Sequence, residues 1–292
     1  EYMKVFFGKN EILVPVYNKL KTTCAKHPKA DVVINFASFR SAFDVTVEAL
    51  NIPTVKTVVV IAEGIPERQA REMRAIAQRL GKWIIGPATV GGFMPGSFKI
   101  GNAGGALSNI KLSRLYQSGS VGFVSKSGGM LNEMANVISR SSDGLYEGIA
   151  IGGDKYPGSS LIDHLLRYEE NPDVKILAVL GEVGGKEEYE IVQALQEGKI
   201  KKPLIAWVTG TCASIFPGEV QFGHAGAMAR GQEETAQAKN LAMKEAGAYV
   251  PHSFDDFGDL VRMVYEELKE KGEIVVREPV VAPDVPLDFD PK

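Results

Sequence analysis

The residue best suited to covalent chemistry is a histidine, His224, in the segment VQFGHAGAMARG over residues 220–231. Gly223 and Gly226 flank it, so its backbone is free to approach another group closely, and an imidazole is a competent nucleophile near neutral pH. A carboxylate that accepts the proton of one ring nitrogen would fix the tautomer and leave the other nitrogen nucleophilic. Glu182, in LGEVGG at the end of a predicted strand, is placed for that role. The structural alternatives, a histidine in a turn and a solvated loop glutamate, stay open.

A second candidate site is a helix start that is rich in small residues. The segment VSKSGGM predicts a strand followed by a turn at Ser127, Gly128 and Gly129, and LNEMANVISRS continues as a helix. Exposed N–H groups and the positive end of the helix dipole would bind phosphate or carboxylate groups there. Ser127 could instead be an ordinary N-cap, or the nucleophile of a serine hydrolase. The absence of a G-x-S-x-G motif weakens the hydrolase interpretation.

The usual nucleotide and metal motifs are missing from the sequence. It contains no G-x-G triplet and no glycine–lysine pair followed by Ser or Thr, so ATP, if used, is expected to bind to another domain. Cys24 and Cys212 make no metal-type spacing, so we predict no metal site and a reducing, cytoplasmic setting. The remaining histidines, His27, His164 and His252, are weaker candidates for chemistry.

Composition excludes several classes of function. The 292 residues are 45% apolar and 24% charged, which is typical of globular domains. A net charge of −3 argues against binding to nucleic acid or to an anionic membrane, both of which need clustered positive charge. The longest apolar runs are far shorter than the roughly 18 residues that span a bilayer. Since the first residues, EYMKVFFGKN, lack both an initiator Met and a leader, we expect the chain to begin inside a longer polypeptide.

Short apolar runs alternate with helical patterns along the chain, which predicts an α/β fold. Runs with little polar alternation are typical of strands covered on both faces, hence of a parallel sheet in βαβ units. The runs are DVVINFA, TVVVIAEG, WIIGP, VGFVSK, YEGIAIGG, ILAVLGEVGG and LIAWVTG. PERQAREMRAIAQRLG predicts a helix that begins at Pro66 and ends at Gly81, and Ser253 and Asp256 have the spacing of a capping box before another helix.

The pattern divides into two α/β domains and a tail. The segment over 100–120 breaks the alternation and is predicted to be a linker, with a boundary near residue 118. We therefore predict domains over 1–118 and 119–272, and an extended Pro-rich tail over 273–292. Several diglycines fall near predicted strand ends, where open α/β sheets bind ligands and where glycine commonly ends strands in any case.

Five motifs carry a resemblance to a known family. GPATVGGFMPGSFKIG, VSKSGGM, IGGDKYPGSSLIDHL, GEVGG and FGHAGA, in this order, resemble the CoA-ligase part of the ATP-citrate lyase family, which is similar to the alpha subunit of succinyl-CoA ligase. NFASFRSAFDVT and AEGIPE favour the lyase over the succinate enzyme. The resemblance implies a Rossmann-like CoA-binding domain followed by a flavodoxin-like parallel-sheet domain. The strand and glycine-rich turn that usually begin the first domain have no match, so we expect this domain to be incomplete.

The resemblance also implies a reaction. ATP with Mg²⁺ on a neighbouring ATP-grasp domain phosphorylates His224, the phosphoryl group passes to citrate, and the CoA thiol attacks citryl phosphate to form citryl-CoA. A citrate-synthase-like domain then cleaves citryl-CoA to acetyl-CoA and oxaloacetate. These domains lie in the same polypeptide or in a partner subunit, and the complete enzyme is expected to be an oligomer.

The resemblance assigns roles to further residues. Glu182 orients His224, the Ser127–Gly129 helix start binds phosphate or citrate, and Glu63 lies near the CoA thiol and assists its attack. Arg40 is the candidate for the CoA phosphates. The implied CoA-binding set is Asn35, Phe36, Ala37, Ser38, Arg40, Ala62 and Glu63.

Three alternatives stay open. The chain could belong to a citryl-CoA synthetase that does not cleave its product, or to a ligase subunit acting on succinate or malate. A serine hydrolase that uses Ser127 is an alternative of another class. A non-catalytic CoA-binding module is a further one, if His224 never carries phosphate.

Overall fold

The computed structural model describes residues 1–7, 10–215, 220–276, 278, 280–282 and 284. The strands are β1 (Tyr2–Phe7), β2 (Asn10–Pro15), β3 (Val32–Asn35), β4 (Thr57–Val60), β5 (Trp83–Ile85), β6 (Gly91–Met94), β7 (Phe98–Gly101), β8 (Val121–Ser125), β9 (Leu145–Ala150), β10 (Ile176–Glu182) and β11 (Leu204–Thr209). The helices are α1 (Leu20–Lys26), α2 (Ala42–Leu50), α3 (Glu67–Leu80), α4 (Leu107–Leu112), α5 (Gly128–Ser141), α6 (Leu161–Glu170), α7 (Glu188–Gln196), α8 (Ala236–Glu245) and α9 (Phe257–Glu270).

A small parallel sheet forms the first α/β unit. Its order is β3-β4-β5, and β4 in the middle is buried at Val58, Val59 and Val60, as expected for a strand covered on both faces. The predicted helix over α3 is confirmed, with Pro66 at its N-cap and Gly81 at its C-cap. Gly81 takes a φ of 63°, a left-handed conformation that glycine adopts without strain.

A six-stranded sheet forms the second unit, in the order β11-β10-β8-β9-β6-β7. Strands β8 to β11 pair in parallel, and every residue of β8 and β10 is buried. One face packs against α6, α7 and α8, and the other against α5 and α9, so the unit is an α/β sheet with helices on both faces. The capping box between Ser253 and Asp256 that precedes α9 is confirmed.

Two hairpins lie outside the predicted pattern. The antiparallel pair β1–β2 exposes large apolar side chains such as Tyr2 and Phe6, so no buried stripe marks it in the sequence. The second hairpin, β6–β7, pairs through β6 with β9 of the large sheet. The chain therefore passes from the small sheet to the six-stranded sheet between β5 and β6, and not near residue 118, because β6 is hydrogen-bonded to β9. The segment over 100–120 is also not a plain linker, since it completes β7 and contains α4.

The strand registers align the carboxyl ends that matter for the site. Ser125 at the end of β8 lies opposite Ala150 of β9 and Leu180 of β10. In the small sheet, Asn35 lies opposite Val60. The segments that follow these strands therefore meet at one edge of each sheet, which is where open α/β sheets bind ligands.

The predicted extended tail lies mostly outside the described residues. Its described positions after α9 form neither a helix nor a strand. No helix in the described part of the chain has the length and apolar character needed to cross a bilayer.

Candidate active site

His224 and Glu182 form a direct pair, as the sequence predicted. The Nδ1 atom of His224 lies 2.6 Å from Oε2 of Glu182, and the two side chains are 32% and 8% exposed. Glu182 is the last residue of β10, and His224 sits in a tight turn closed by hydrogen bonds from the Phe222 amide to the Ala227 carbonyl and from the Ala227 amide to the His224 carbonyl. An ionised carboxylate only accepts hydrogen bonds, so Nδ1 is the donor and Nε2 is left as the nucleophilic nitrogen.

The surrounding charges tune the imidazole. The hydrogen bond to Glu182 raises the pKa of His224 above its ordinary value, and partial burial opposes this rise. The charge of Glu63 also raises the pKa of His224, whereas the charge of Lys126 lowers it. The structure therefore brings Glu63, at the end of the small sheet, within electrostatic reach of a histidine of the second unit.

A buried ion pair holds the backbone of Glu182. The Nζ atom of Lys239 donates to the Glu182 carbonyl at 2.9 Å, to the Gly184 carbonyl at 2.6 Å and to Oε2 of Glu188 at 2.6 Å. The other carboxylate oxygen of Glu188 accepts from the Glu182 amide at 3.1 Å. Both side chains are almost fully buried. This pair was not predicted from the sequence, because a lysine on α8 and a glutamate at the start of α7 are usually solvated.

Glycines let the loops close around His224. A Cβ atom added at Gly153 would lie 2.3 Å from Cγ of His224, so the ring packs directly on that backbone. A Cβ atom added at Gly184 would lie 2.2 Å from the Gly226 carbonyl oxygen. The diglycines that contain Gly153 and Gly184 thus serve close approach to the histidine loop, while Gly91–Gly92 lies inside β6 rather than at a strand end.

The predicted anion site is the start of α5. Ser127 is its N-cap, and its Oγ atom accepts a hydrogen bond from the Met130 amide at 3.3 Å. Gly128 packs against the side chain of Val90, and a Cβ atom at Gly129 would meet nothing within 4 Å. The hydrogen bond found for Ser127 Oγ among the described residues is a capping one and involves no histidine, so this geometry does not favour a hydrolase nucleophile.

Lys126, which the sequence analysis did not single out, is a buried cation beside these groups. Its side chain is 6% exposed and its Nζ atom lies 2.9 Å from Oε2 of Glu187. Burial lowers the pKa of Lys126, but the charges of Glu187, Glu188 and Glu182 more than offset this and raise it overall. A lysine directly after a buried strand is a signal that could have been used.

A cavity of about 120 Å³ adjoins the histidine turn. Three cations contribute to its wall, together with backbone from the turns that follow β10 and His224. The lining residues are Lys126, Lys155, Gly184, Gly185, Glu187, Ala225, Gly226, Met228, Arg230 and Glu234. The combination of a nucleophilic histidine, a helix start and a basic cavity suits transfer of an anionic group.

The candidate CoA residues lie together at the carboxyl end of the small sheet, but they differ in what they offer. Asn35 is buried, donates to the Ala42 carbonyl at 2.9 Å and to Oγ1 of Thr46 at 3.0 Å, and accepts from the Ala37 amide at 2.9 Å. Both protons of its side-chain amide are therefore donated within the loop, which this side chain shapes. Phe36 is 61% exposed.

The other members of this set present polar and charged groups. Ser38 and Arg40 are exposed, and the Arg40 guanidinium lies 5.2 Å from the centre of the Phe39 ring. Glu63 is exposed, and the carbonyl of Ala62 accepts from the Ala88 amide at 2.9 Å. Aromatic faces next to an arginine suit a ligand that has both a flat ring and phosphates.

His164 and His27 have partners of their own outside the pair of His224 and Glu182. His164 is buried, with Nε2 at 2.9 Å from Oγ of Ser159 and Nδ1 at 3.2 Å from Arg167. Burial and the charge of Arg167 lower the pKa of His164 to about 3, so it stays neutral and structural. His27 contacts the hydroxyl of Tyr17. Among the described residues, no group of three or more His, Cys, Asp or Glu side chains is arranged to hold a metal ion.

Known proteins resemble this chain in sequence and in fold. A CoA-ligase family model matches residues 124–249. The probable ATP-citrate synthase subunit 1 of Neurospora crassa is 56% identical over 98% of this chain and 43% of its own length. The structure of ATP citrate lyase from Methanothrix soehngenii in complex with citrate and coenzyme A is 57% identical, with a TM-score of 0.97 over 99% of this chain and 47% of that one.

A variant of the Methanosaeta concilii ATP citrate lyase in complex with (3S)-citryl-CoA is similar to the same extent, at 57% identity and a TM-score of 0.97, over 99% of this chain and 47% of that chain. The chain thus spans less than half the length of each of these three relatives. The motifs in the order predicted, the paired His224 and Glu182 and this similarity over nearly the whole chain lead to one assignment: the chain contains a CoA-ligase domain and corresponds to the CoA-ligase portion of the ATP-citrate lyases.

Proposed function

We propose that this chain carries the phosphohistidine and acyl-transfer steps by which a complete ATP-citrate lyase forms citryl-CoA, which leads on to acetyl-CoA and oxaloacetate. The observation that carries the proposal is the 2.6 Å pair of His224 and Glu182, which leaves Nε2 of a part-exposed imidazole next to a basic cavity. The relatives in complex with citrate, coenzyme A and citryl-CoA support the choice of substrates.

The residues divide the chemistry as follows. Nε2 of His224 takes the γ-phosphoryl group of ATP and ADP leaves, while Glu182 stabilises the positive charge that develops on the ring. A citrate carboxylate then attacks the phosphorus and releases the histidine. The Ser127–Gly129 helix start donates N–H groups to the oxygens of the transferring group, as helix N-termini do. The thiol of CoA finally attacks the acyl carbon of citryl phosphate, and inorganic phosphate leaves.

Glu63 is the proposed base for the thiol. A thiol with a pKa of about 8.5 is mostly protonated at neutral pH, so a nearby carboxylate that accepts the proton aids attack. Glu63 is exposed and its charge reaches His224, which supports a position between CoA and the phosphoryl carrier. Arg40 is proposed to bind the CoA phosphates, and the loop held by Asn35 to bind the adenine end.

The remaining partners follow from the family. ATP and Mg²⁺ are proposed to bind mainly to an ATP-grasp domain, and citryl-CoA to be cleaved by a citrate-synthase-like domain, each in the same polypeptide or in a partner subunit. The share of the relatives left uncovered by this chain has room for such domains. An oligomer and a cytoplasmic location stay predictions, the latter supported by the free cysteines Cys24 and Cys212.

The test is phosphorylation of the complete enzyme by ATP labelled at the γ-phosphate. We expect label that is acid-labile and base-stable, that His224→Ala abolishes and that His252→Ala, at an exposed position, leaves in place. Label that persists in His224→Ala would overturn the proposal. Chase of the label with citrate, succinate or malate identifies the acyl acceptor, and discharge by succinate or malate but not by citrate would favour the related ligases.

A further inference from the structure

Two buried lysines lie within electrostatic or hydrogen-bonding reach of Glu182, and among the described residues only one of them, Lys239, has all three donors occupied. Lys239 Nζ uses its three donors on the Glu182 carbonyl, the Gly184 carbonyl and Glu188. Lys126 Nζ, in the described part of the chain, comes within ion-pair distance of Glu187 alone, at 2.9 Å. Lys126 therefore keeps donor capacity for a ligand, whereas Lys239 has a structural task.

The unsaturated lysine faces the cavity beside His224. Lys126 lines that cavity together with two other cations, Lys155 and Arg230, and two carboxylates, Glu187 and Glu234, so cations are in excess around a space of about 120 Å³. One water occupies about 30 Å³ in the liquid, so the space is sufficient for a tetrahedral oxyanion. The charge of Lys126 also reaches both His224 and Asp154, which places it in the same electrostatic field as the proposed phosphoryl carrier.

The partner of Lys126 is positioned to be exchanged. Glu187 lines the same cavity, is the N-cap residue of α7 and has a side chain that is 22% exposed. An ammonium buried to this depth without a counter-ion would be strongly disfavoured. The carboxylate of Glu187 keeps Lys126 charged in the free enzyme. An incoming anion can replace that carboxylate, so that Lys126 has a counter-ion both before and after binding.

We propose that Lys126 is an anion-binding residue of the phosphoryl-transfer site, and that Glu187 is a resident counter-ion which a phosphoryl or carboxylate oxygen displaces. The identity of the physiological anion rests on the proposed function, since the phosphoryl group on His224 and a citrate carboxylate share this chemistry. The exchange itself requires only that an oxyanion enter the cavity.

The experiment measures how inorganic phosphate protects His224 from carbethoxylation by diethylpyrocarbonate in the complete enzyme. Peptide mass spectrometry reports the phosphate concentration that gives half protection. Lys126→Met should raise that concentration about tenfold or more, because a charge-assisted contact is lost. Lys126→Arg, which keeps the charge, should change it by less than about threefold, and Glu187→Gln should lower it severalfold because the competing carboxylate is gone.

Lys126→Met and Glu187→Gln are expected to change the half-protecting phosphate concentration in opposite directions, which distinguishes exchange of the counter-ion from a purely structural role. A purely structural ion pair predicts that Lys126→Met and Glu187→Gln weaken protection alike, and that result would overturn the proposal. Lys244→Met, on the exposed face of α8, is the matched control and should leave protection unchanged. Repeating the titration with citrate distinguishes a carboxylate ligand from a phosphoryl one. The protection assay contains no ATP, so its result does not depend on phosphorylation of His224. The proposed function and the anion site can therefore fail independently of each other.

Discussion

Replacement of Glu182 by glutamine isolates the role of its charge in activating His224. An amide oxygen can still accept the Nδ1 proton over the observed 2.6 Å contact, so the tautomer is retained while the negative charge is lost. Hydrogen bonds to charged groups contribute about 1.5–3 kcal/mol and neutral ones about 0.5–1.5 kcal/mol, so the exchange removes roughly 1–1.5 kcal/mol. If this stabilisation operates in the transition state for phosphorylation, the rate should fall about tenfold.

The burial of Glu182 supports magnitudes of this size. Glu182 is 8% exposed and its backbone is held by Lys239 and Glu188, so solvent reaches the contact only from the side of His224 and the strand end does not readily move. The same substitution should lower the pKa of His224, because the hydrogen bond to Glu182 is the largest contribution to its rise. A change that merely disturbed the fold would not lower this pKa selectively.

Two assays check the reasoning. Single-turnover labelling of the complete enzyme with γ-labelled ATP gives the phosphorylation rate, and the pH profile of His224 carbethoxylation gives its pKa. Glu133→Gln, at an exposed position on α5, is the control and should match the wild type in both. If Glu182→Gln is phosphorylated at the wild-type rate with an unchanged pKa of His224, the proposed activation is wrong.

Three further changes test the packing around the site. Gly153→Ala should abolish histidine labelling, because its Cβ atom would lie 2.3 Å from the imidazole of His224. Gly231→Ala is the control and should keep the label, since a Cβ atom there would meet nothing within 4 Å. Full labelling of Gly153→Ala would contradict the close approach. Lys239→Met should lower the free energy of unfolding by about 3–5 kcal/mol in urea titrations, since it leaves the buried carboxylate of Glu188 without its counter-ion. Lys244→Met, at an exposed position, is the control, and an equal loss of stability in both variants would count against this prediction. Because burial lowers the pKa of His164 to about 3 from 6.5, unfolding takes up a proton in that range and stability falls as the pH falls through it. His164→Gln should flatten this slope by about 1.4 kcal/mol per pH unit, and an unchanged slope in urea titrations would show that His164 is not held neutral.

Local signals in the sequence were sufficient for most of the elements. All seven apolar runs became parallel strands, because a strand buried on both faces needs apolar residues throughout. Pro66 and Gly81 bounded α3 because their backbone preferences act within a single turn. The hairpin β6–β7 was missed, since its place depends on hydrogen bonds to β9, about fifty residues later in the chain, and not on its own pattern.

The same division holds for the site. The sequence by itself determined the nucleophile candidate His224, its partner Glu182 and the helix start at Ser127, because residue type and a position after a strand are local properties. Only the tertiary structure decided that Asn35 donates both amide protons within its own loop. It also decided that Lys126 faces a cavity, while Lys239 has all three of its donors in hydrogen bonds. The physical reason is that the burial of a polar group, and the partners that remain available to it, depend on how distant segments pack, which no local pattern records.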